Sequence, residues 1–281
     1  FGFKPGIIGS GEFNTDSPIV IGNIQTLYRN ISKIRKEFGT LILDEMHHVS
    51  SPTFSRILDA NYCRYKIGLS GTIERKDGKH VVFRDYFSPN VLKPPKENFM
   101  APVINIHHSE VRFLDGARIP WANRVTNLAC NEEYRHSVSM LAAAYAHRGH
   151  KVLVVSDRVA FLKRCAELTG DKAICVTGEI PQEERESLIG ELEAGNRNVL
   201  YGTQAIFSEG ISINILSCLI LATPINNEPL LTQLIGRIIR LVEGKLTPVV
   251  IDIHLKGDTA RRQASNRIGY YMKQGYQIKE L

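Results

Sequence analysis

The chain has 281 residues, enough for two domains with separate cores, and its 43% hydrophobic and 23% charged content excludes a disordered or collagen-like polypeptide. Thirty-five Lys and Arg residues against 29 Asp and Glu give a net charge of +6, which attracts polyanions but is also compatible with a basic protein that has no anionic partner. The five cysteines form no CxxC pair and no apolar run reaches the ~18 residues of a membrane helix, so we exclude a zinc ribbon and a membrane span.

The first part of the chain alternates strand and helix patterns. PIVIGNI and TLILDE are apolar runs rich in β-branched residues, ISKIRKEFG between them is amphipathic, and YKIGL is a further apolar run. Continuous apolar strands are typical of a parallel sheet that is buried on both faces. We therefore predict an α/β domain with buried parallel strands.

Prolines at 89, 94, 95 and 102 interrupt this pattern, and a second alternation begins near Glu132. Its strand patterns are KVLVVS, AICVTG, NVLYGT, SCLILAT and TPVVIDIH, and its helix patterns are EYRHSVSMLAAAYAHRG, VAFLKRCAELTG, EERESLIGELEAG, PLLTQLIGRIIRL and RRQASNRIGYYMKQGY. We place the crossover between Ser109 and Asn127, which predicts domains at residues 1–115 and 116–281.

Two acids follow the strand in LILDEMHH at 41–48. The strand delivers Asp44 and Glu45 to its carboxyl end, the edge at which open α/β sheets bind ligands. One carboxylate can hold Mg²⁺ through its water shell, while the other orients or deprotonates a water aimed at a γ-phosphate. We assign the metal to Asp44 and the water to Glu45; the alternative is that both acids only cap the following helix.

Two further segments carry polar groups at positions suited to the same chemistry. Ser70 and Thr72 follow YKIGL, and their hydroxyls can hydrogen-bond the Asp-Glu-x-His turn. QLIGRIIR predicts that Gln233, Arg237 and Arg240 share one helix face. An arginine so presented can stabilise charge on a transferred phosphoryl group by roughly 10³ to 10⁵ in rate, although a solvated face is the alternative.

In this order, DEMH, SGT and QLIGRIIR resemble motifs II, III and VI of the superfamily 2 helicases and translocases. IGNIQTL, VLVVSDR, VTG and YGTQAIFSEGISI resemble motif Ib, motif IV, the following phosphate-contact motif and motif V. The pattern, with its DExH box and the YFSPNV segment, is most similar to bacteriophage recombination and repair helicases of the UvsW type, and more distantly to RecG and XPB. The resemblance implies two RecA-like α/β domains, the first incomplete at its N-terminus.

The resemblance also implies roles for individual residues. At the nucleotide, Asp44 and Glu45 handle Mg²⁺ and the attacking water, and His47 links that site to motif III. Ser70 and Thr72 couple hydrolysis to domain movement. The residues implied at the ATP site from the second domain are Glu209, Gly210, Gln233, Arg237 and Arg240, with Arg240 as the arginine finger. The implied nucleic-acid contacts are Gln25, Thr26, Thr177, Gly178 and Thr203.

Three features depart from the family pattern. Asn23 stands where motif Ib often has Thr, and Ser212 stands where motif V commonly has Asp. No GxxxxGK(S/T) loop, which grips the β- and γ-phosphates, occurs in the chain, and the stretch Gly9–Glu12 has an acid in place of the lysine. The resemblance therefore implies a chain that begins partway through the first domain and hydrolyses ATP weakly or not at all by itself.

The function implied by the resemblance is an ATP-dependent DNA helicase or translocase in recombination, repair or replication. ATP and Mg²⁺ are its expected cofactors and single-stranded or branched DNA its partner, in the cytoplasm, that of the host if the source is a phage. Alternatives are an RNA helicase and a non-catalytic nucleic-acid-binding module with a helicase-like fold. A nuclease that binds metal through Asp44, Glu45, His47 and His48 is disfavoured because adjacent strand residues point in opposite directions. Trp121 and the C-terminal tyrosines are predicted to pack against the linker or the core rather than to stack on bases.

Overall fold

The computed structural model describes residues 2–46, 52–70, 85–88, 90–93, 99–116, 118–208 and 213–280. The chain forms two compact units, Phe1–Pro94 and Pro95–Leu281. Four residues with predicted roles lie outside the described residues: His47, Thr72, Glu209 and Gly210. His48 and Ser212 lie outside them as well.

In its described residues the first unit forms two small sheets and several short helices. Its strands are β1 Gly6–Gly9, β2 Glu12–Phe13, β3 Val20–Gly22, β4 Thr40–Leu43 and β5 Tyr65–Gly68. Its helices are α1 Ile24–Arg29, α2 Ile31–Ile34 and α3 Pro52–Ala60. Strand β1 lies between antiparallel β2 and parallel β3, and β4 pairs with β5 in parallel.

Strands β4 and β5 are less buried than predicted. Their residues alternate between exposed and half-buried, and Ile42 and Ile67 are 59% and 46% exposed. On the other face, Leu41 and Leu43 pack against the buried side chains of Met46 and Leu58. The prediction of strands buried on both faces is therefore wrong for this pair in the described part of the chain, because described residues cover one face of it.

The second unit is built around a parallel sheet of seven strands. The strand order is β12-β6-β11-β10-β7-β9-β8, and each neighbouring pair is parallel. The strands are β6 Val103–Arg112, β7 Val152–Ser156, β8 Ala173–Val176, β9 Val199–Thr203, β10 Cys218–Leu221, β11 Val249–Lys256 and β12 Gln277–Glu280. The helices are α4 Trp121–Ala129, α5 Glu132–His147, α6 Val159–Thr169, α7 Gln182–Glu193, α8 Gln204–Ser208, α9 Glu228–Ile238 and α10 Asp258–Gln274.

Helices cover both faces of this sheet, which is why its central strands read as continuous apolar runs. Every residue of β7 and β10 is buried. On one face Val152 and Val154 pack with residues of α5 and α6, and on the other Leu153 and Val155 pack with residues of α9 and α10. The predicted α/β class is confirmed.

The two units divide earlier in the chain than predicted. A boundary at 115/116 assigned residues 103–112 to the first domain, but β6 pairs with both β11 and β12 in the second. Local periodicity does not reveal this strand, because its partners come from the far end of the sequence. His107 on β6 is half-buried and His108 is exposed.

The tyrosines on α10 pack in the interior of the second unit, as predicted, whereas Trp121 is 41% exposed. The Trp121 ring lies 5.3 Å from the ring of Phe113, measured between centroids. Tyr270 and Tyr271 on α10 are buried in the core on one face of the sheet. The stacking of these tyrosines on bases is therefore excluded in this structure.

A buried ion pair joins α10 to β11. The Asp252 carboxylate is 0% exposed and accepts hydrogen bonds from Arg267 Nε at 2.9 Å, Arg267 Nη2 at 2.7 Å and the Tyr271 hydroxyl at 3.1 Å. Burial is the largest single influence on the pKa of Asp252 and raises it, but the charge of Arg267 and the hydrogen bonds to the carboxylate together outweigh burial and hold that pKa well below its usual range. Arg267 Nη1 also donates to the Ile225 carbonyl at 3.5 Å, so the pair fastens the loop that precedes α9.

Candidate nucleotide and nucleic-acid sites

The Asp44–Glu45 turn follows β4 directly. Asp44 Oδ1 accepts the Glu45 N–H at 2.9 Å, and Glu45 has a φ of 50°. Left-handed backbone costs a residue with a Cβ roughly 1–2 kcal/mol, and such strain concentrates at functional sites. Ser10 is the other non-glycine residue with positive φ in the described part of the chain. The strained turn presents an exposed Asp44 beside a half-buried Glu45.

Two backbone hydrogen bonds join this turn to the end of β5. The Leu69 N–H donates to the Leu43 carbonyl at 2.8 Å, and the Met46 N–H donates to the Leu69 carbonyl at 2.9 Å. These bonds extend the parallel pairing in which Leu43 lies opposite Gly68. Ser70 is thereby brought to the same sheet edge as the two acids.

Gly68 is required for this close approach. A Cβ built on Gly68 lies 2.3 Å from Sδ and 3.2 Å from Cβ of Met46. The Met46 side chain, which immediately follows the acids, therefore occupies the space that any larger residue at 68 needs. The glycine lets the turn seat against β5.

The carboxylate of Asp44 suits a hydrated divalent cation. Oδ1 is occupied by the Glu45 N–H, whereas Oδ2 accepts no hydrogen bond from a described residue. Mg²⁺ prefers oxygen ligands and keeps several of its waters, so one outward carboxylate oxygen is sufficient for an outer-sphere contact. The described residues contain no group of three or more His, Cys, Asp or Glu side chains arranged to hold a metal ion, and His47 and His48 of the nuclease hypothesis lie outside them.

In the second unit, Arg237 is held by the helix that follows β9. Its Nε donates to the Phe207 carbonyl on α8 at 2.8 Å. Gln233 lies one helical turn earlier on α9, and both side chains are half-buried. The structure therefore brings the predicted motif V and motif VI segments together within this unit.

Gly202 in β9 makes that packing possible. A Cβ at Gly202 lies 2.0 Å from Cε2 of the Phe207 ring, so α8 cannot fold back onto β9 with a side chain there. We expect Gly202→Ala to destabilise the second unit by about 1–3 kcal/mol, the usual cost of overpacking. Urea unfolding followed by the fluorescence of Trp121, the single tryptophan, measures this.

The matched control is Gly190→Ala on α7. A Cβ there meets nothing within 4 Å, so this variant is expected to gain up to about 1 kcal/mol from helix propensity. Equal effects of the two substitutions would contradict the steric explanation for Gly202.

Arg240 does not lie on α9, contrary to the prediction. The helix ends at Ile238, the Ile239 carbonyl accepts the Met100 N–H at 2.8 Å, and Arg240 forms an antiparallel bridge with Phe99. Its Nη1 donates to Asn214 Oδ1 at 3.0 Å. Pairing with a distant segment replaces the last helical turn, so the shared face consists of Gln233 and Arg237 only.

Lys245 is a neighbour of this site that the sequence analysis did not identify. Its Nζ donates to the carbonyls of Asn214 and Arg240, each at 2.9 Å. Burial, with a smaller contribution from the charge of Arg240, lowers the pKa of Lys245 to about 8. The lysine connects the end of the motif V segment to the end of motif VI. The one sequence signal for this role is that Lys245 lies close to motif VI in the chain.

The predicted nucleic-acid contacts differ in exposure. Gln25 is exposed and Thr26 half-buried on α1, where Asn23 caps the helix by accepting the Gln25 N–H at 3.0 Å. An Asn is among the strongest N-caps, which explains this departure from the family pattern. In the second unit Gly178 is exposed and Thr203 half-buried.

Thr177 is the buried member of this set. The residue is 0% exposed, and its hydroxyl has no hydrogen-bond partner among the described residues. Thr177 follows β8 directly, and its buried side chain makes it the least accessible of the predicted contacts. Gly178, the next residue, presents backbone to solvent instead.

Two protein families match the chain. Residues 3–75 match the res subunit of type III restriction enzymes, and residues 134–242 match the helicase conserved C-terminal domain. A probable helicase of Escherichia phage T5 is 44% identical over 279 residues, which cover 98% of this chain and 62% of that protein. The ATP-dependent DNA helicase uvsW of Enterobacteria phage T4 is 24% identical over 286 residues, covering 95% of this chain and 56% of that protein. The chain thus spans less than two thirds of the length of these relatives.

Solved structures share the fold at low sequence identity. The crystal structure of T4 UvsW matches with a TM-score of 0.51 at 22% identity, covering 98% of this chain and 61% of that one. Dbp5 of S. cerevisiae bound to RNA and ADP BeF₃ matches with a TM-score of 0.64 at 13% identity, covering 99% of this chain and 70% of that one. The RecA-like α/β fold is confirmed. In the described residues, no helix has the length and hydropathy needed to cross a membrane.

Proposed function

We propose, on the premise that this chain is a superfamily 2 helicase sequence of the UvsW type, that it forms the larger part of an ATP-dependent DNA motor. The motor would remodel branched or forked DNA in recombination, repair or replication. The observation that carries this proposal is the strained Asp44–Glu45 turn, fixed beside Ser70 at one sheet edge.

In the proposed mechanism Glu45 orients the attacking water and accepts its proton. Its half-buried carboxylate sits on a turn fixed by the hydrogen bonds to Asp44 Oδ1 and the Leu69 carbonyl, so its position changes little between turnovers. Asp44 would hold a hydrated Mg²⁺, and the ion would supply positive charge to the phosphates of bound ATP. Ser70 lies at the same sheet edge and couples the nucleotide state of the site to the rest of the unit. The roles of His47 and Thr72 stay predictions.

The second unit contributes positive charge to the γ-phosphate in this proposal. Arg237 is positioned by the Phe207 carbonyl, and Arg240, the proposed finger, by Asn214. Gln233 completes the set from the helix, and the roles of Glu209 and Gly210, which lie outside the described residues, stay predictions.

Gln25, Thr26, Gly178 and Thr203 are the proposed contacts with the DNA backbone. Hydroxyl, amide and backbone N–H donors suit phosphates and read position rather than base sequence, so we expect little sequence preference. A cytoplasmic location, in the host cell for a phage protein, accompanies this proposal.

The test is ATP hydrolysis with and without forked DNA. The 281-residue chain would be compared with a longer version that carries an upstream GxxxxGK(S/T) segment. We expect DNA-stimulated turnover in the longer version and weak or no turnover in the shorter one, because the chain has no residue that matches the phosphate-gripping lysine. Stimulation by forked RNA but not by DNA would reassign the substrate.

A second candidate function is a nucleic-acid-binding module without catalysis. No turnover in either version, together with a DNA affinity that does not respond to ATP, would replace the motor proposal with this one.

A further inference from the structure

An open concavity of about 370 Å³ lies on the first unit among α1, α2 and α3. Its polar lining consists of Tyr28, Arg29, Ser32, Arg35 and Arg56, and we call it the arginine concavity. The three arginines and Ser32 are exposed, and Tyr28 is half-buried. Among the described residues, no acidic side chain lines the space.

None of the three arginines forms an ion pair with a described residue, whereas the ion-paired arginines that the structure describes lie in the second unit. There, Arg164 pairs with Glu167 at 3.0 Å and Arg197 with Glu191 at 2.8 Å. Three positive charges that have no counter-ion among the described residues produce a local positive potential on the concave wall, and this potential favours an anionic ligand.

Two of the guanidinium groups are held in place by tyrosines. Arg56 Nη1 donates to the Tyr28 hydroxyl at 3.0 Å, and its Cζ lies 5.1 Å from the centroid of that ring. Arg35 Nη2 donates to the Tyr62 hydroxyl at 2.8 Å, and its Cζ lies 5.0 Å from the Tyr62 centroid. Each hydrogen bond uses one N–H group and leaves the other N–H groups of that guanidinium available to an anion. Because the tyrosines already hold these guanidinium groups in place, less conformational entropy is lost when an anion binds.

The concavity continues the helix face that carries the proposed motif Ib contacts. Arg29 lies four residues after Gln25 and three after Thr26 on α1, and residues at these spacings are neighbours on a helix surface. An anion chain that passes Gln25 and Thr26 therefore meets Arg29 next. Arg35 and Arg56 line the same space beyond it.

We propose that the arginine concavity binds the phosphodiester backbone of a nucleic-acid strand that extends beyond the motif Ib contacts. A guanidinium group can bind two phosphate oxygens at once. A strand presents several phosphates in succession, so it can occupy several guanidinium groups on one wall, whereas a single carboxylate cannot. The inference rests on the proposed function, because it assigns a further contact to the same bound strand.

The experiment measures the affinity of the 281-residue chain for a fluorescent single-stranded oligonucleotide across a salt series. The variant is Arg29→Gln/Arg35→Gln/Arg56→Gln. Each phosphate contact to a single strand contributes about 0.7 to the slope of log affinity against log salt, so the slope should fall by roughly 2. The charge-retaining variant with Lys at the same three positions should keep the wild-type slope.

The matched control removes three arginines that already have acidic partners: Arg164→Gln/Arg197→Gln/Arg261→Gln. It should leave the slope close to that of the wild type. If the triple variant at the concavity unfolds, Arg29→Gln alone supplies the readout, since its side chain has no hydrogen bond or ion pair with a described residue; a slope lower by about 0.7 is expected.

An unchanged slope in the concavity variant, with binding intact, overturns the inference and leaves the proposed function standing. If the concavity variant keeps the oligonucleotide slope but no longer binds poly-glutamate, the concavity would be assigned to an acidic peptide. A wild-type chain that binds no oligonucleotide at any salt concentration overturns both the inference and the proposed function.

Discussion

Asp252→Asn is expected to destabilise the second unit by about 3–5 kcal/mol, the effect of breaking a buried ion pair from one side. The substitution leaves the guanidinium of Arg267, which is 5% exposed, without its charged partner. It also weakens the attachment of α10 to β11 and of the Ile225 loop to α10. Chemical unfolding followed by Trp121 fluorescence should show a lower midpoint with an unchanged denaturant slope.

The pH dependence of this effect has a defined sign. The folded-state pKa of Asp252 lies below the unfolded value of about 3.9, so the carboxylate contributes its stabilisation above that value and loses it as the pH falls further. The difference between wild type and Asp252→Asn should therefore shrink below about pH 4.

The control for the ion pair is Asp258→Asn, which removes an exposed partner of Arg261. Exposed pairs contribute about 0–1 kcal/mol, so this variant should unfold close to the wild type. Similar losses in both variants would show that burial of the Asp252–Arg267 pair is unimportant.

Glu45→Gln is expected to reduce ATP turnover about 10² to 10⁴-fold in the longer version that carries a phosphate-binding loop, the range for losing a general base. Glutamine keeps the shape of the side chain and leaves the backbone hydrogen bonds of the turn intact. ATP affinity should therefore change little while the maximal rate collapses. Steady-state hydrolysis with forked DNA, combined with a nucleotide-binding titration, separates the two quantities.

Glu37→Gln is the matched control, because Glu37 is an exposed acid of the same unit outside the described helices and strands. Its turnover should equal that of the wild type. Full activity in Glu45→Gln would remove Glu45 from the mechanism and favour a capping role for the acid pair.

The strands of the second unit were predictable because a strand that is buried on both faces has a short, continuous run of apolar residues. KVLVVS and SCLILAT became β7 and β10, and the C-terminal helix pattern became α10. Strand β6 was not predicted to belong to this sheet because its partners β11 and β12 lie far along the chain. The exposed face of β4 and β5 was not predicted because an apolar run does not show whether other residues cover both of its faces.

Motif order placed the acids, Ser70, Gln233 and Arg237 at strand ends and on a helix, and the structure has them there. Three-dimensional detail was not accessible in the same way. The left-handed Glu45, the buried Thr177 and the displacement of Arg240 onto the Phe99 segment all depend on contacts between distant residues. Lys245 belongs to this group as well, because two carbonyls from separate segments define its position.

The place of β6 between β11 and β12 also governs how the second unit is assembled during synthesis. Of the seven strands in this sheet, β6 leaves the ribosome first, but its partners β11 and β12 emerge last. At about 5–20 residues per second, synthesis of the intervening chain takes on the order of ten seconds. Strands β7, β9 and β10 with their helices are made together in the meantime and can form a nucleus. Insertion of β6 is then a late, long-range step, during which Ile104 and Ile106 stay accessible to chaperones and to other nascent chains.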